Sequence, residues 1–135
     1  MGKARFKPRE KYKGKITSAH ESVAPAPETL HPVFNLACHK PRYCLSKYSK
    51  REKADFANTI HALSRMTWAE IDVAPREGFG YEPIDISQLK PSLPLNLSED
   101  VRIIVFRLSR KGRMAGYRDG NIFYILWFDH TRKLY

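Results

Sequence analysis

Three short runs rich in β-branched and aromatic residues follow one another near the C-terminus, at 101–109, 113–118 and 121–129. Only Arg110-Lys111-Gly112 and Asp119-Gly120 separate them. Both breaks read as hairpin turns, and Asp-Gly suits a two-residue type I′ turn, whose central residues both adopt φ > 0. The chain is therefore expected to build around an antiparallel meander. That meander carries Arg102, Arg107, Arg110, Lys111, Arg113, Arg118, Arg132 and Lys133 against only Asp119 and Asp129. A rigid sheet with that charge suits a polyanion.

The charge is uneven along the 135 residues. Of the formal net charge of +10, residues 1–20 and residues 101–135 each hold +6, and the middle of the chain is slightly acidic. Basic clusters at both ends are the footprint of a nucleic-acid binder, whose cations displace condensed counterions from phosphates. A solubilising tail and a solvated sheet face would carry the same charge. No apolar stretch approaches the length of a membrane-spanning helix, and the N-terminus lacks the apolar core of a secretory signal. No membrane association and a cytoplasmic location are the expectations. Two cysteines, Cys38 and Cys44, are too few for a disulfide-built scaffold.

Residues 1–30 combine the basic run from Lys3 to Lys15 with Ala24-Pro25-Ala26-Pro27 and show no hydrophobic periodicity, so they read as a disordered basic arm. Residues 31–135 read as one α+β domain. Within it, 31–45 is irregular and partly apolar, with room for one further strand. From Ser49 onward the period is helical: Phe56, Ile60 and Leu63 recur at i, i+4, i+7, with Ala54 and Ala57 assigned to the same stripe. Thr67-Trp68-Ala69-Glu70 has capping-box spacing and opens a second, short helix that ends before Pro75. A glycine turn at Gly78-Phe79-Gly80 follows. Residues from Tyr81 to Leu97, punctuated by Pro83, Pro91 and Pro94, read as a connector. One or two helices packed on a small antiparallel meander is the expected fold.

Arginines on a sheet, with a carboxylate and an imidazole nearby, are the groups needed to cleave RNA by transphosphorylation. A base removes the 2′-hydroxyl proton, a cation stabilises charge on phosphorus, and an acid protonates the leaving 5′-oxygen. No metal or cofactor is required. Glu82, Arg113 and His130 have the right types.

The order of these residues resembles the RelE/YoeB-like mRNA interferases, toxins of bacterial toxin–antitoxin pairs. Pro75-Arg76-Glu77-Gly78-Phe79-Gly80-Tyr81-Glu82-Pro83-Ile84 is similar to the family's glycine turn and Glu-Pro segment. Arg107-Leu108-Ser109-Arg110-Lys111-Gly112-Arg113-Met114 is similar to its arginine hairpin, and Ile125-Leu126-Trp127-Phe128-Asp129-His130 to its closing strand. The likeness covers residues 50–135. It departs at Gly116, in the four residues between His130 and Tyr135, and in the 49 residues that precede it. It implies a RelE-like fold with Glu82 as general base, Arg113 as transition-state stabiliser, His130 as general acid and Arg107 as phosphate ligand. It also implies action at the ribosomal A site and a small antitoxin partner, which an acidic protein would suit.

Arg110, Lys111, Arg118, Arg132 and Tyr135 are further candidates for RNA or phosphate contact. Each site residue has a plainer reading: Glu82 as an exposed turn carboxylate, His130 as a surface histidine, and Asp129 as a turn cap. His31, Cys38, His39 and Cys44 match no common zinc spacing. Trp68, Trp127 and Phe128 read as core rather than base-stacking platforms, whereas Tyr117 and Tyr124 on the meander would stack on a base if their face is open. Two alternatives compete with an endoribonuclease. One is a non-catalytic nucleic-acid or ribosome-binding protein, and the other is a toxin of the same fold that inhibits a target by binding, comparable to the ParE-like gyrase inhibitors.

Overall fold

The computed structural model describes residues 25–37, 43–94, 96–130 and 132–135. Its elements are β1 (Val33–Asn35), α1 (Lys50–Ser64), α2 (Trp68–Val73), β2 (Tyr81–Ile84), β3 (Ile103–Arg107), β4 (Arg113–Asp119) and β5 (Ile122–Asp129). The fold is α+β, with a mixed five-stranded sheet ordered β1-β5-β4-β3-β2. Strands β2 to β5 pair antiparallel, and β1 pairs with β5 in parallel. The sheet is thus larger than an antiparallel meander and not purely antiparallel.

The two added strands have different origins. β1 falls in the segment with room for a strand, whereas β2 lies where the prolines suggested a connector. Pro83 is tolerated because β2 is an edge strand: it stands opposite Ile104, and the missing N–H removes no bond from an interior ladder. Pro27–Thr29 forms a 3₁₀ turn, and the Leu30 carbonyl accepts the Trp68 N–H. The basic arm up to residue 24 lies outside the described residues.

Both helices start at capping boxes. Thr67 and Glu70 close the predicted one, and Ser49 with Glu52 closes another at the head of α1. Each satisfies two otherwise free backbone N–H groups, and losing the cap side chain costs about 1 kcal/mol. On α1, Phe56 and Leu63 are buried and Ile60 half-buried, while Ala54 and Ala57 are exposed. At 100° per residue Ala54 points away from Phe56 and Ala57 lies outside the stripe; Glu52, four residues before Phe56, lies within it.

The sheet is covered on both faces. Phe56, Leu63, Trp68 and Ile71 pack with Ile104, Phe106, Met114, Phe123, Ile125 and Phe128 on the helical face. On the other face Ile103, Val105, Ala115, Leu126 and Trp127 lie under Leu89, Leu93, Leu97 and Leu134. This double cover explains why β3 is continuously apolar from Ile103 to Phe106 rather than alternating.

A bulge on β5 keeps both faces apolar. Ala115 stands opposite Trp127 and Gly116 opposite Ile125, which leaves Leu126 as the extra residue. Gly116 is needed there because a Cβ would overlap the Tyr124 carbonyl oxygen. The β4–β5 turn also differs from expectation. Asp119 pairs with Ile122, so Gly120 and Asn121 are the loop residues. Among the described residues only Gly120 and Arg132 have positive φ. Glycine at the first loop position, with a negative φ following, fits type II′ rather than I′.

Candidate functional site

Sheet register decides which charged side chains meet. Arg107 pairs with Arg113, Arg113 with Asp129, and Glu82 with Val105, two residues before Arg107 on β3. Cross-strand partners project to the same side, as do residues two apart on a strand. Glu82, Arg107, Arg113 and Asp129 therefore share one end of the face opposite the helices.

Arg113 is 4% exposed. Its Nη1 donates to the carbonyls of Ser109 and Gly112 at 2.9 Å each and of Arg110 at 3.3 Å, so the guanidinium ties the β3–β4 loop together. Gly112 N–H donates to Ser109 Oγ at 2.9 Å within the same loop. Beneath, the Tyr48 hydroxyl donates to the Arg113 carbonyl at 2.9 Å. Burial, and then the neighbouring Arg132 and Arg107, pull the Arg113 pKa below its ordinary value. Three guanidinium charges acting on one another form a locus that an anion stabilises.

Asp129, 2% exposed, receives the Lys133 N–H at 3.0 Å on one oxygen and the Leu134 N–H at 2.9 Å on the other. Arg132 adopts φ 62° in the intervening turn. Leu134 is fully buried, and its carbonyl accepts the Lys90 N–H at 2.9 Å. The tail therefore folds back onto the sheet and delivers Tyr135 to the arginines. Burial, and next the charge of Glu82, raise the Tyr135 pKa, while Arg113 and Arg132 oppose that rise. Its hydroxyl is neutral at physiological pH.

Glu82 does not stand alone. Its Oε2 lies 3.2 Å from Arg76 Nη1, a pairing the sequence did not suggest although Arg76 belongs to the same turn. Tyr48 was likewise unforeseen, since nothing local marks a residue 65 positions before its hydrogen-bond partner.

Four of the expected site residues lie apart from this cluster. His130 turns to the helical side, where its ring lies 5.6 Å from that of Tyr48 and its Nδ1 lies 3.9 Å from Glu52 Oε2. His130 directly follows the last residue of β5, and its direction continues the strand's alternation of faces. Arg118 sits at the other end of β4 on the helical face. It lies 4.3 Å over the Trp68 ring and 3.7 Å from Asp72, and it donates from Nε to the Gly120 carbonyl at 2.7 Å. Arg110 and Lys111 are exposed at the hairpin tip and border a groove of about 470 Å³ shared with Ser49, Arg51, Glu52 and Asp55 at the start of α1.

Among the described residues no group of three His, Cys, Asp or Glu side chains could hold a metal ion, and no helix is long and apolar enough to cross a membrane. Cys38 and His39 lie outside the described residues. The cluster that remains is Glu82 with Arg76, and Arg107, Arg113 and Arg132 with Tyr135: a carboxylate, cations and a neutral hydroxyl on one surface. No family model, no curated protein and no solved structure matches the chain.

Proposed function

We propose that this protein is an endoribonuclease of the RelE/YoeB type that cleaves mRNA on the ribosome by metal-independent attack of the 2′-hydroxyl. The observation that carries the reading is the convergence of Glu82, Arg107, Arg113, Arg132 and Tyr135 on one end of one sheet face. Glu82 accepts the 2′-hydroxyl proton, and Oε1, the oxygen not paired with Arg76, is the acceptor. The 2′-oxygen then forms its bond to phosphorus while the arginines bind the phosphoryl oxygens, where a preorganised cation contributes most. Tyr135 gives its proton to the leaving 5′-oxygen as the phosphorus–oxygen bond breaks. Tyr135 thus takes the acid role that the family resemblance assigned to His130. Ribosomal A-site binding, a small acidic antitoxin partner and a RelE-like fold belong to the same proposal.

Inducible expression in bacteria tests it. Wild-type protein should arrest growth and fragment translated mRNA, and Arg107→Ala should relieve both at unchanged protein level. Arrest with intact mRNA would instead favour inhibition by binding, as in ParE-like proteins. A second reading, a non-catalytic RNA- or ribosome-binding protein, is favoured by the Arg76–Glu82 ion pair, which occupies the proposed base. Its signature is salt-sensitive RNA binding without cleavage.

A further inference from the structure

Away from the arginines, the same sheet face holds a second constructed feature. Tyr117 and Tyr124 are cross-strand partners whose rings stack at 4.9 Å with only 12° between their planes. Asn35 on β1 is the partner of Tyr124, so Asn35, Tyr124 and Tyr117 form one row across three strands. This row borders a groove of about 270 Å³, with buried Leu126 and Pro94 beneath and Leu97 and Asn96 on the connector side. The groove is smaller than the roughly 300–1,000 Å³ of pockets for drug-sized ligands, and it suits one ring system.

We infer that this groove is a nucleobase subsite, in which a single RNA base extends the Tyr117–Tyr124 stack and the amides of Asn35 and Asn96 contact its edge. Half-exposed tyrosines supply the flat apolar surface that every base recognises. Asn35 Oδ1 already accepts the Ala37 N–H at 2.9 Å, so Asn35 presents its Nδ2 donor to ring nitrogens or carbonyls. Asn96 is exposed and offers both a donor and an acceptor. Arg113 and Tyr117 are four residues apart on β4 and point to the same side, about 13 Å at the rise of a strand, within reach of one short single strand. The inference rests on RNA being the ligand of the arginine cluster, and the test separates the two.

The probe is a 2′-O-methylated RNA trinucleotide, which cannot be cleaved through its own 2′-oxygen, with ribose 5-phosphate as the base-free control. Binding is followed by NMR at the methyl groups of Leu97 and Leu126 and the side-chain N–H groups of Arg107 and Arg113. The expected result is that the trinucleotide shifts both sets of signals, whereas ribose 5-phosphate shifts only the arginines. Arginine shifts without methyl shifts from the trinucleotide overturn the subsite and leave the phosphate site standing; no shifts at either overturn both. Methyl shifts alone uphold the groove and remove the arginine reading. Asn96→Ala, at an exposed position, and Tyr124→Leu, checked for folding, should each leave ribose 5-phosphate binding unchanged. Tyr124→Leu should weaken trinucleotide binding about fivefold or more. Wild-type affinity in both variants overturns the assignment.

Discussion

Arg113 and Asp129 stand opposite each other as the terminal pair of the β4–β5 ladder, both nearly inaccessible; Arg113 organises the loop that enters its strand, and Asp129 the tail that leaves its own. Arg113 gathers the carbonyls of the β3–β4 loop, and Asp129 gathers the N–H groups of the returning tail. A cation satisfies acceptors and an anion satisfies donors, so the pair builds the site from two loops that have no regular structure of their own.

Asp129→Asn should loosen that construction. The amide keeps the shape but replaces a charged oxygen with a donor facing a backbone N–H, and hydrogen bonds to charged groups contribute about 1.5–3 kcal/mol. Stability should fall by about that much in urea unfolding, and the Leu134 amide should exchange faster than in the wild type. A protected Leu134 amide in the variant would show that the tail is held by other means.

Tyr48→Phe should change the response to alkali. Burial is the main reason that the Tyr48 hydroxyl is raised well above its ordinary value, and the charge of Asp129 adds to it. A group whose folded pKa exceeds its unfolded value stabilises fully below the unfolded pKa, about 10 for tyrosine, and loses that contribution as pH rises above it. The wild type should therefore lose stability from about pH 10 upward. The variant should lose about 1 kcal/mol at neutral pH, where the bond to Arg113 is missing, and should decline less steeply in alkali. Tyr81, Tyr117 and Tyr135 are raised too, so the slope should diminish rather than vanish. Urea midpoints at pH 8 and pH 10.5 give the comparison.

Gly116→Ala should be among the most damaging single changes. The added methyl would overlap the Tyr124 carbonyl oxygen, which belongs to backbone and has no rotamer by which to move aside. Overpacking in a core costs typically about 1–3 kcal/mol, and contact with backbone belongs at or beyond the top of that range. Thermal unfolding decides the point, and an unchanged midpoint would contradict the bulge geometry. Gly120→Ala, where a Cβ meets open space and only the positive φ opposes it, should cost less.

Tyr135→Phe and His130→Ala distinguish the two candidates for the proton donor. With Tyr135 in that role, Tyr135→Phe should slow RNA cleavage by about 100-fold or more, the usual worth of general acid–base catalysis. His130→Ala should leave the rate close to wild type, because the imidazole lies with Tyr48 and Glu52 on the helical side. The reverse pattern in single-turnover assays would return the acid role to His130.

Local sequence specified much of this protein. Thr67 and Glu70 announced the start of α2 because a capping box is a contact between residues three apart, and Ser49 with Glu52 carries the same signal at the head of α1. The three C-terminal strands were legible because their turns are short and their residues favour strands, and Trp68, Trp127 and Phe128 belonged to the core as expected. Pro83 concealed β2, since a proline excludes a central strand and the sequence does not say which strands lie at an edge. The candidate site was legible as residue types but not as a constellation. Arg107 and Arg113 share a face only because of their register, and His130, the first residue beyond β5, turns to the helical side with Tyr48 and Glu52. Tyr135 reaches the cluster through the carboxylate of Asp129 and the burial of Leu134, and Arg76 meets Glu82 across a turn. These are interactions between residues brought together by the whole sheet, and no property of either partner's neighbours in the chain encodes them.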